Sequence, residues 1–217
     1  MSAIYPDLYL ASQSPRRREL LQQIGVRHHV ISASVPEQPA ADETAMDYVQ
    51  RLSREKAAAG YAQVVRQGLF PAPVLGADTL GLLDGIILEK PRDQTHAFHM
   101  LRQLSGRTHQ VITAITLHSA GRQASRVSIT DVTFRELADA EITAYWQTEE
   151  PQDKAGSYAI QGLGAVFVKE IRGSYSGVVG LPLEATCELL KEFSVPWWTG
   201  QDLSARSLLP VGELSGE

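Results

Sequence analysis

The stretch TLGLLDGIILEK, residues 79–90, constrains the fold of this chain more than any other segment. Asp84 and Gly85 are the residue pair favoured by a two-residue type I′ turn, in which both central positions need positive φ. Apolar residues flank the pair on both sides, so the segment reads as a β-hairpin in which 83 faces 86 and 79 faces 90. The hairpin sits in a chain whose other segments alternate between strand-like and helix-like patterns. Antiparallel neighbours within such an alternation predict an α/β protein with a mixed sheet.

Around the hairpin the pattern is regular. Strands are expected at 7–11, 28–33, 72–78, 108–118 and 125–137, and at YAIQ and AVFVKEI on either side of Gly162 and Gly164. Helices are expected from Pro15 to about Ile24, stopped by Gly25, and from Thr44 as cap to about Gln67. Others are expected over 94–106 with Thr95 as cap, over 139–147, and from Pro182 to Phe193. Residues 35–43 are a Pro-rich loop. No linker interrupts 1–195, which is read as one unit with two lobes around a cleft; 196–217 reads as a loose tail.

The totals exclude several classes of function. No apolar run in the 217 residues approaches the roughly 20 needed to span a bilayer, so no membrane partner is expected. The opening MSAIYPDLYLA lacks a basic segment followed by a long apolar one, so a secretory leader is not expected either. Cys187 is the single cysteine; an intrachain disulfide is impossible and a reducing compartment fits. The net charge of -5 argues against non-specific binding to nucleic acid, and no nucleic-acid partner is expected. Any basic cluster then needs a local reason.

SQSPRRRELL, residues 12–21, is such a cluster. Ser14 is a good N-cap and Pro15 a favoured first helical residue, which puts Arg16 and Arg17 in the first turn. A helix start already carries free N–H groups and the positive end of the dipole, so two more cations cost stability unless an anion arrives. A phosphate satisfies amides, dipole and guanidinium forks together. Taken alone, the arginines also read as a solvated basic turn. Lys56 follows Val49 and Leu52 on an apolar helix stripe, where a lysine either snorkels outward or points into a cleft. Snorkelling is the plainer reading for Lys56 alone.

GADT, residues 76–79, ends an apolar run in Asp78, a usual place for a catalytic or metal-binding carboxylate in α/β proteins. Gly76 leaves room for a ligand or another stretch of chain. The hairpin register sets Lys90 across from Thr79, beside Asp78. A strand end with Asp78, Thr79, Glu89 and Lys90 is too polar for core and looks like one wall of a metal and phosphate site. Strand alternation puts Asp78 and Lys90 on opposite faces, so twist must help if both touch one ligand. Glu37, in the Pro-rich loop, is a third acidic candidate. In QDKAGSYAIQGLGA, residues 152–165, the glycines Gly156, Gly162 and Gly164 allow close approach to a flat or charged ligand, and Gln161 carries a donor and an acceptor suited to a base edge. The chain has no Walker A loop, and GLGA is no dinucleotide fingerprint. His96 and His99 lack a second pair, so zinc is not expected.

LASQSPRRRELL, LGADT, LEKP, LSGRTHQV, DKAGSYAIQG and GSYSGVVGLP stand in the order seen in the Maf family of nucleoside triphosphate pyrophosphatases, and the chain resembles that family from Leu8 to about Phe193. The resemblance implies an inosine-triphosphatase-like α/β fold: a long, twisted mixed β-sheet with flanking helices and a cleft between two lobes. It implies a cytoplasmic homodimer with a nucleoside triphosphate substrate and a divalent cation, Mg2+ or Mn2+. By resemblance Asp78 is the catalytic base, and Ser14, Arg16, Arg17, Lys56 and Lys90 bind the triphosphate. Glu37 and Asp78 hold the metal. Arg16, Thr79 and Gln161 match the positions that separate substrates, in the form seen in the dTTP/UTP subgroup. Gly177 departs from the Asn of many members. The alternatives are a pyrophosphatase for 7-methyl-GTP or other modified purine triphosphates, and a nucleotide-responsive regulator of septum formation.

Overall fold

The computed structural model describes residues 5–198. Its strands are β1 (Leu8–Leu10), β2 (His28–Val30), β3 (Val74–Leu83), β4 (Ile86–Leu88), β5 (Thr108–Ser119), β6 (Arg122–Phe134) and β7 (Val168–Arg172). The helices are α1 (Pro15–Gln23), α2 (Ala45–Arg66), α3 (Gln94–Leu104), α4 (Asp139–Trp146), α5 (Tyr175–Val179) and α6 (Leu183–Glu192). The strands form a sheet in the order β2-β1-β3-β5-β6-β7, with β4 paired to β3. β1 runs parallel to β2 and β3, and the other pairs are antiparallel, so the sheet is mixed as expected. Among the described residues no helix is long and apolar enough to cross a membrane.

The Asp84–Gly85 turn is present with φ of 51° and 80°, and Leu83 faces Ile86. Pairing stops at Gly81 with Leu88, however, so 79 and 90 are not ladder partners. That early stop matters. β3 pairs with β1 only at Val74 and Leu75, and with β4 only from Gly81 to Leu83. Between them, residues 76–80 pair with β5 alone among the described residues. Strand alternation sends Leu80 to the α2 side, where it packs with Val49, Ile112 and Ala114, and Ala77 to the opposite face, in the main core with Leu21 and Leu75. At this gap in the sheet edge, side chains from both faces can reach one space.

Two glycines set the distance between α2 and the sheet. A Cβ on Gly76 would lie 2.3 Å from the Ser53 carbonyl oxygen and 2.5 Å from the Ala57 nitrogen. One on Gly60 would meet Val74 Cγ1 at 2.8 Å and Ala11 Cβ at 3.0 Å. The room expected at Gly76 is thus filled by the backbone of α2 itself, and the absent side chains let helix and strand approach at direct contact.

Several local expectations are corrected. Asp93, not Thr95, caps α3, its carboxylate accepting from the His96 N–H at 2.7 Å; a charged cap also complements the helix dipole. YAIQ is not a strand, and residues 163–167 form a 3₁₀ turn before β7. Gly156 and Ser157, at φ of 76° and 59°, turn the chain out of any extended run there. Pro182 is the N-cap of α6 rather than its first residue, and residues 175–179, for which no helix was expected, make the short α5 capped by the Ser174 side chain. The tail begins at the margin of the described residues: Trp197 packs against the core, Trp198 is exposed, and 199–217 lie outside them.

Candidate functional site

A cleft of about 570 Å³ opens at the gap in the β3 edge. Ser14, Arg16, Arg17, Glu37, Lys56, Asp78, Thr79, Lys90 and Gln161 all line it, although they come from six separate stretches of chain.

The start of α1 forms one rim. Ser14 occupies the N-cap position, but its side chain makes no capping bond, and the first turn holds no acidic residue. The free amides of that turn therefore stay available to an anion. Arg17 is fixed by three neutral partners: its Nε donates to the Gly180 carbonyl at 2.9 Å, and its two terminal nitrogens donate to Ser12 Oγ at 3.1 Å and Thr79 Oγ1 at 3.0 Å. Burial pulls the Arg17 pKa down from its ordinary range while the Asp78 carboxylate opposes the shift. A guanidinium oriented by neutral groups keeps its charge for a ligand. The chain of bonds runs on from Thr79 to Thr113 Oγ1 at 2.9 Å, and from there to the Gly177 carbonyl at 2.7 Å. Thr79 thus supports Arg17, a role its position in GADT did not suggest. Gly180, at φ of 129°, has the backbone that brings its carbonyl to Arg17.

Lys56 does not snorkel. It is 9% exposed, and its Nζ lies 2.6 Å from Glu37 Oε1 and 2.7 Å from Asp78 Oδ1. The close α2–β3 contact at Gly76 places it there. The hydrogen bond from Lys56 also draws the Glu37 pKa below its ordinary value. Lys90, Arg16 and Gln161 also line the cleft, and none of the three side chains has a hydrogen bond or ion pair among the described residues. Among those residues the lining carries five cations, with Lys154 the fifth, against three carboxylates, with Asp153 the third. A net positive cleft in an acidic chain focuses anions.

Among the described residues no group of three or more His, Cys, Asp or Glu side chains could hold a metal ion. Glu37 and Asp78 nevertheless converge on one ammonium, so two carboxylates face a common point. Magnesium is typically held in this way, by one or two carboxylates with the rest of its shell from water and substrate phosphates. Glu37 and Asp78 are the cleft residues that could take part in such a shell, beside the ammonium of Lys56.

On the opposite wall, residues 150–164, Gly156 lines the cleft, but the reading of the other two glycines is contradicted. A Cβ on Gly162 would lie 2.1 Å from the Glu150 carboxylate, and one on Gly164 would lie 2.6 Å from the Tyr145 hydroxyl. These glycines admit the protein's own side chains rather than a ligand. Sequence reasoning also gave no role to His109 and Tyr158, which line the cleft and share a bond of 2.8 Å between Nε2 and the phenol. Their separation of 49 residues left no local signal to find.

A net cationic cleft set at a helix N-terminus and at a gap in a mixed sheet is suited to an anionic ligand. The chain belongs to the family described as Maf-like protein, whose model matches residues 7–193. It is 55% identical over 192 residues to the dTTP/UTP pyrophosphatase of Saccharophagus degradans, covering 88% of this chain and 91% of that one. It is 54% identical over 188 residues to the dTTP/UTP pyrophosphatase of Escherichia coli K12, covering 87% and 93%. A Shigella flexneri relative, 54% identical over 188 residues at 87% and 93% coverage, is called nucleoside triphosphate pyrophosphatase.

Proposed function

We propose that this chain hydrolyses dTTP, UTP and modified pyrimidine triphosphates to the nucleoside monophosphate and pyrophosphate. The observation that carries the reading is that Arg16, Arg17, Lys56 and Lys90 line one cleft together with Asp78, which Lys56 contacts directly. The names of relatives at 54–55% identity support it.

A nucleoside triphosphate brings about four negative charges, and water cannot approach phosphorus until these are screened. Arg17, already oriented, and Arg16 meet the phosphates at the helix start, while Lys90 closes on them from the β4 side. Asp78 takes a proton from the attacking water. The water oxygen bonds to the α-phosphorus, the bond from that phosphorus to the bridging oxygen breaks, and the electron pair leaves with pyrophosphate. Lys56 holds Asp78 and Glu37 at a fixed separation, and its hydrogen bond favours the ionised form of Glu37. Mg2+ or Mn2+, held by Glu37 and Asp78, would supply charge neutralisation on the phosphate oxygens. Arg16, Thr79 and Gln161 set the choice of base, Thr79 by fixing Arg17.

The test is pyrophosphate release from dTTP, UTP, CTP, GTP, ITP and 7-methyl-GTP, with and without divalent metal. The expected result is metal-dependent release, fastest from dTTP and UTP. Preference for 7-methyl-GTP or ITP replaces the substrate, and absence of turnover with retained binding removes the enzyme reading in favour of a regulator. The same reading includes a homodimer in the cytoplasm, as the family resemblance implies. A monomer mass by light scattering would remove the dimer.

A further inference from the structure

We infer that Glu150 and Tyr145, which lie outside the cleft lining, are positioning residues that hold Gln161 in register with the nucleotide base. The inference rests on the reading of Gln161 as a base-facing residue.

Gln161 lies on the cleft wall with no hydrogen bond of its own among the described residues, so its placement is decided by the backbone on either side. That backbone is gripped at three amides by one carboxylate–phenol pair. The Tyr145 hydroxyl donates to Glu150 Oε1 at 2.7 Å and accepts from the Ala159 N–H at 3.2 Å. Glu150 Oε1 also accepts from the Gly164 N–H, and Oε2 from the Leu163 N–H, each at 2.9 Å. The grip thus takes hold two residues before Gln161 and two and three residues after it. Inside that span the Gly162 N–H donates to the Ala159 carbonyl at 3.2 Å, closing a turn with Gln161 at its tip, and Ile160 is buried.

The glycines are the counterpart of the grip. Any side chain at 162 or 164 would displace Glu150 or Tyr145, as the 2.1 Å and 2.6 Å approaches show. Tyr145 is itself seated edge-on against Phe167, with ring centroids 4.9 Å apart. Burial works against the charged form of Glu150, yet the donors from Tyr145, Gly164 and Leu163 bring its pKa below the ordinary value. An ionised acceptor therefore holds the turn throughout the neutral range. A single glutamine amide discriminates between bases only while its donor and acceptor stay aligned with the base edge, and a shift of about 1 Å is enough to lose that.

The experiment compares kcat/KM for dTTP and for CTP in the full chain and in four variants: Gln161→Ala, Glu150→Gln, Tyr145→Phe, and Glu150→Gln with Gln161→Ala. Glu150→Gln is nearly isosteric but turns one acceptor into a donor facing an N–H, and Tyr145→Phe keeps the ring against Phe167. Expected is a fall of about tenfold in the dTTP-to-CTP ratio for Glu150→Gln, a smaller fall for Tyr145→Phe, and no further fall when Glu150→Gln is added to Gln161→Ala. A lower Tm with kcat/KM reduced equally for both nucleotides makes the pair structural only and overturns the inference. So do independent, multiplying losses in the double variant. An unchanged ratio in Gln161→Ala overturns the base-facing reading itself, and is told apart because it appears before either clamp residue is touched. Tyr145→Phe alone decides the matter where Glu150→Gln does not fold: an unmoved ratio there is the overturning result.

Discussion

On the wall built from α1, α2 and β3, charged side chains point into the cleft and small residues sit behind them. On the wall built from residues 150–164 the order is reversed: the small residues face the protein's own Glu150 and Tyr145, and the chain is folded around them. Both walls are rich in glycine and polar groups, and the same composition serves a ligand on one side and a framework on the other. The difference lies in where compensation comes from. Arg17 rests on neutral partners, so its charge stays available for a ligand; Glu150 accepts three donors, so its charge is spent inside the fold.

The contrast can be broken at several points. The largest effect falls at the centre of the charged wall. Asp78→Asn should lower pyrophosphate release by about 10²- to 10⁴-fold while nucleotide binding persists, read by turnover and by titration calorimetry. Turnover near that of the unaltered chain would remove Asp78 as the base.

Next is Gly76→Ala. Its Cβ meets backbone at 2.3 and 2.5 Å, which cannot move without shifting α2. A loss of about 3 kcal/mol or more in denaturant unfolding is expected.

His109 carries a pH effect of up to similar size. It is 2% exposed, its Nδ1 has no hydrogen-bond partner among the described residues, and burial lowers its pKa from 6.5 to about 4. The folded pKa lies below the unfolded one, so the unfolded chain takes up the proton first as pH falls. Stability is then full above pH 6.5 and drains away between 6.5 and about 4, by at most about 3 kcal/mol. His109→Gln should flatten the profile in that window; an unchanged slope would assign the acid sensitivity elsewhere.

The smallest effect tests the contrast most directly. In Gly162→Ala the nearest atoms to the new Cβ belong to the Glu150 carboxyl group, the end of a side chain that can shift at the cost of its hydrogen bonds, whereas at Gly76 they are backbone. A loss of about 1–2 kcal/mol is expected, clearly below that of Gly76→Ala. Equal losses at the two glycines would mean that the walls are not built differently.

How much was legible follows the same division. The hairpin turn, the Thr44 cap and the bounds of α1 and α2 could be read because they depend on neighbours a few residues apart. The charged residues stood out because cations at a helix start and a carboxylate at a strand end are locally unfavourable, and local cost is visible in a sequence. The support that Thr79 gives Arg17 was not legible because its partners, Arg17 and Thr113, lie 62 and 34 residues away. Gly162 and Gly164 were misjudged because glycine signals only that space is needed, not what fills it.

The sequence by itself determined the mixed α/β class, the order of the elements up to α4 and the residues whose charge calls for an anion, since periodicity, turn chemistry and local electrostatics act over short stretches of chain. Only the tertiary structure decided that β1 and β4 leave the β3 edge open at 76–80, that Lys56 bridges Glu37 and Asp78, and that Glu150 occupies the space beside Gly162. Each of those depends on atoms brought together from distant parts of the chain, and packing, not pattern, sets such distances.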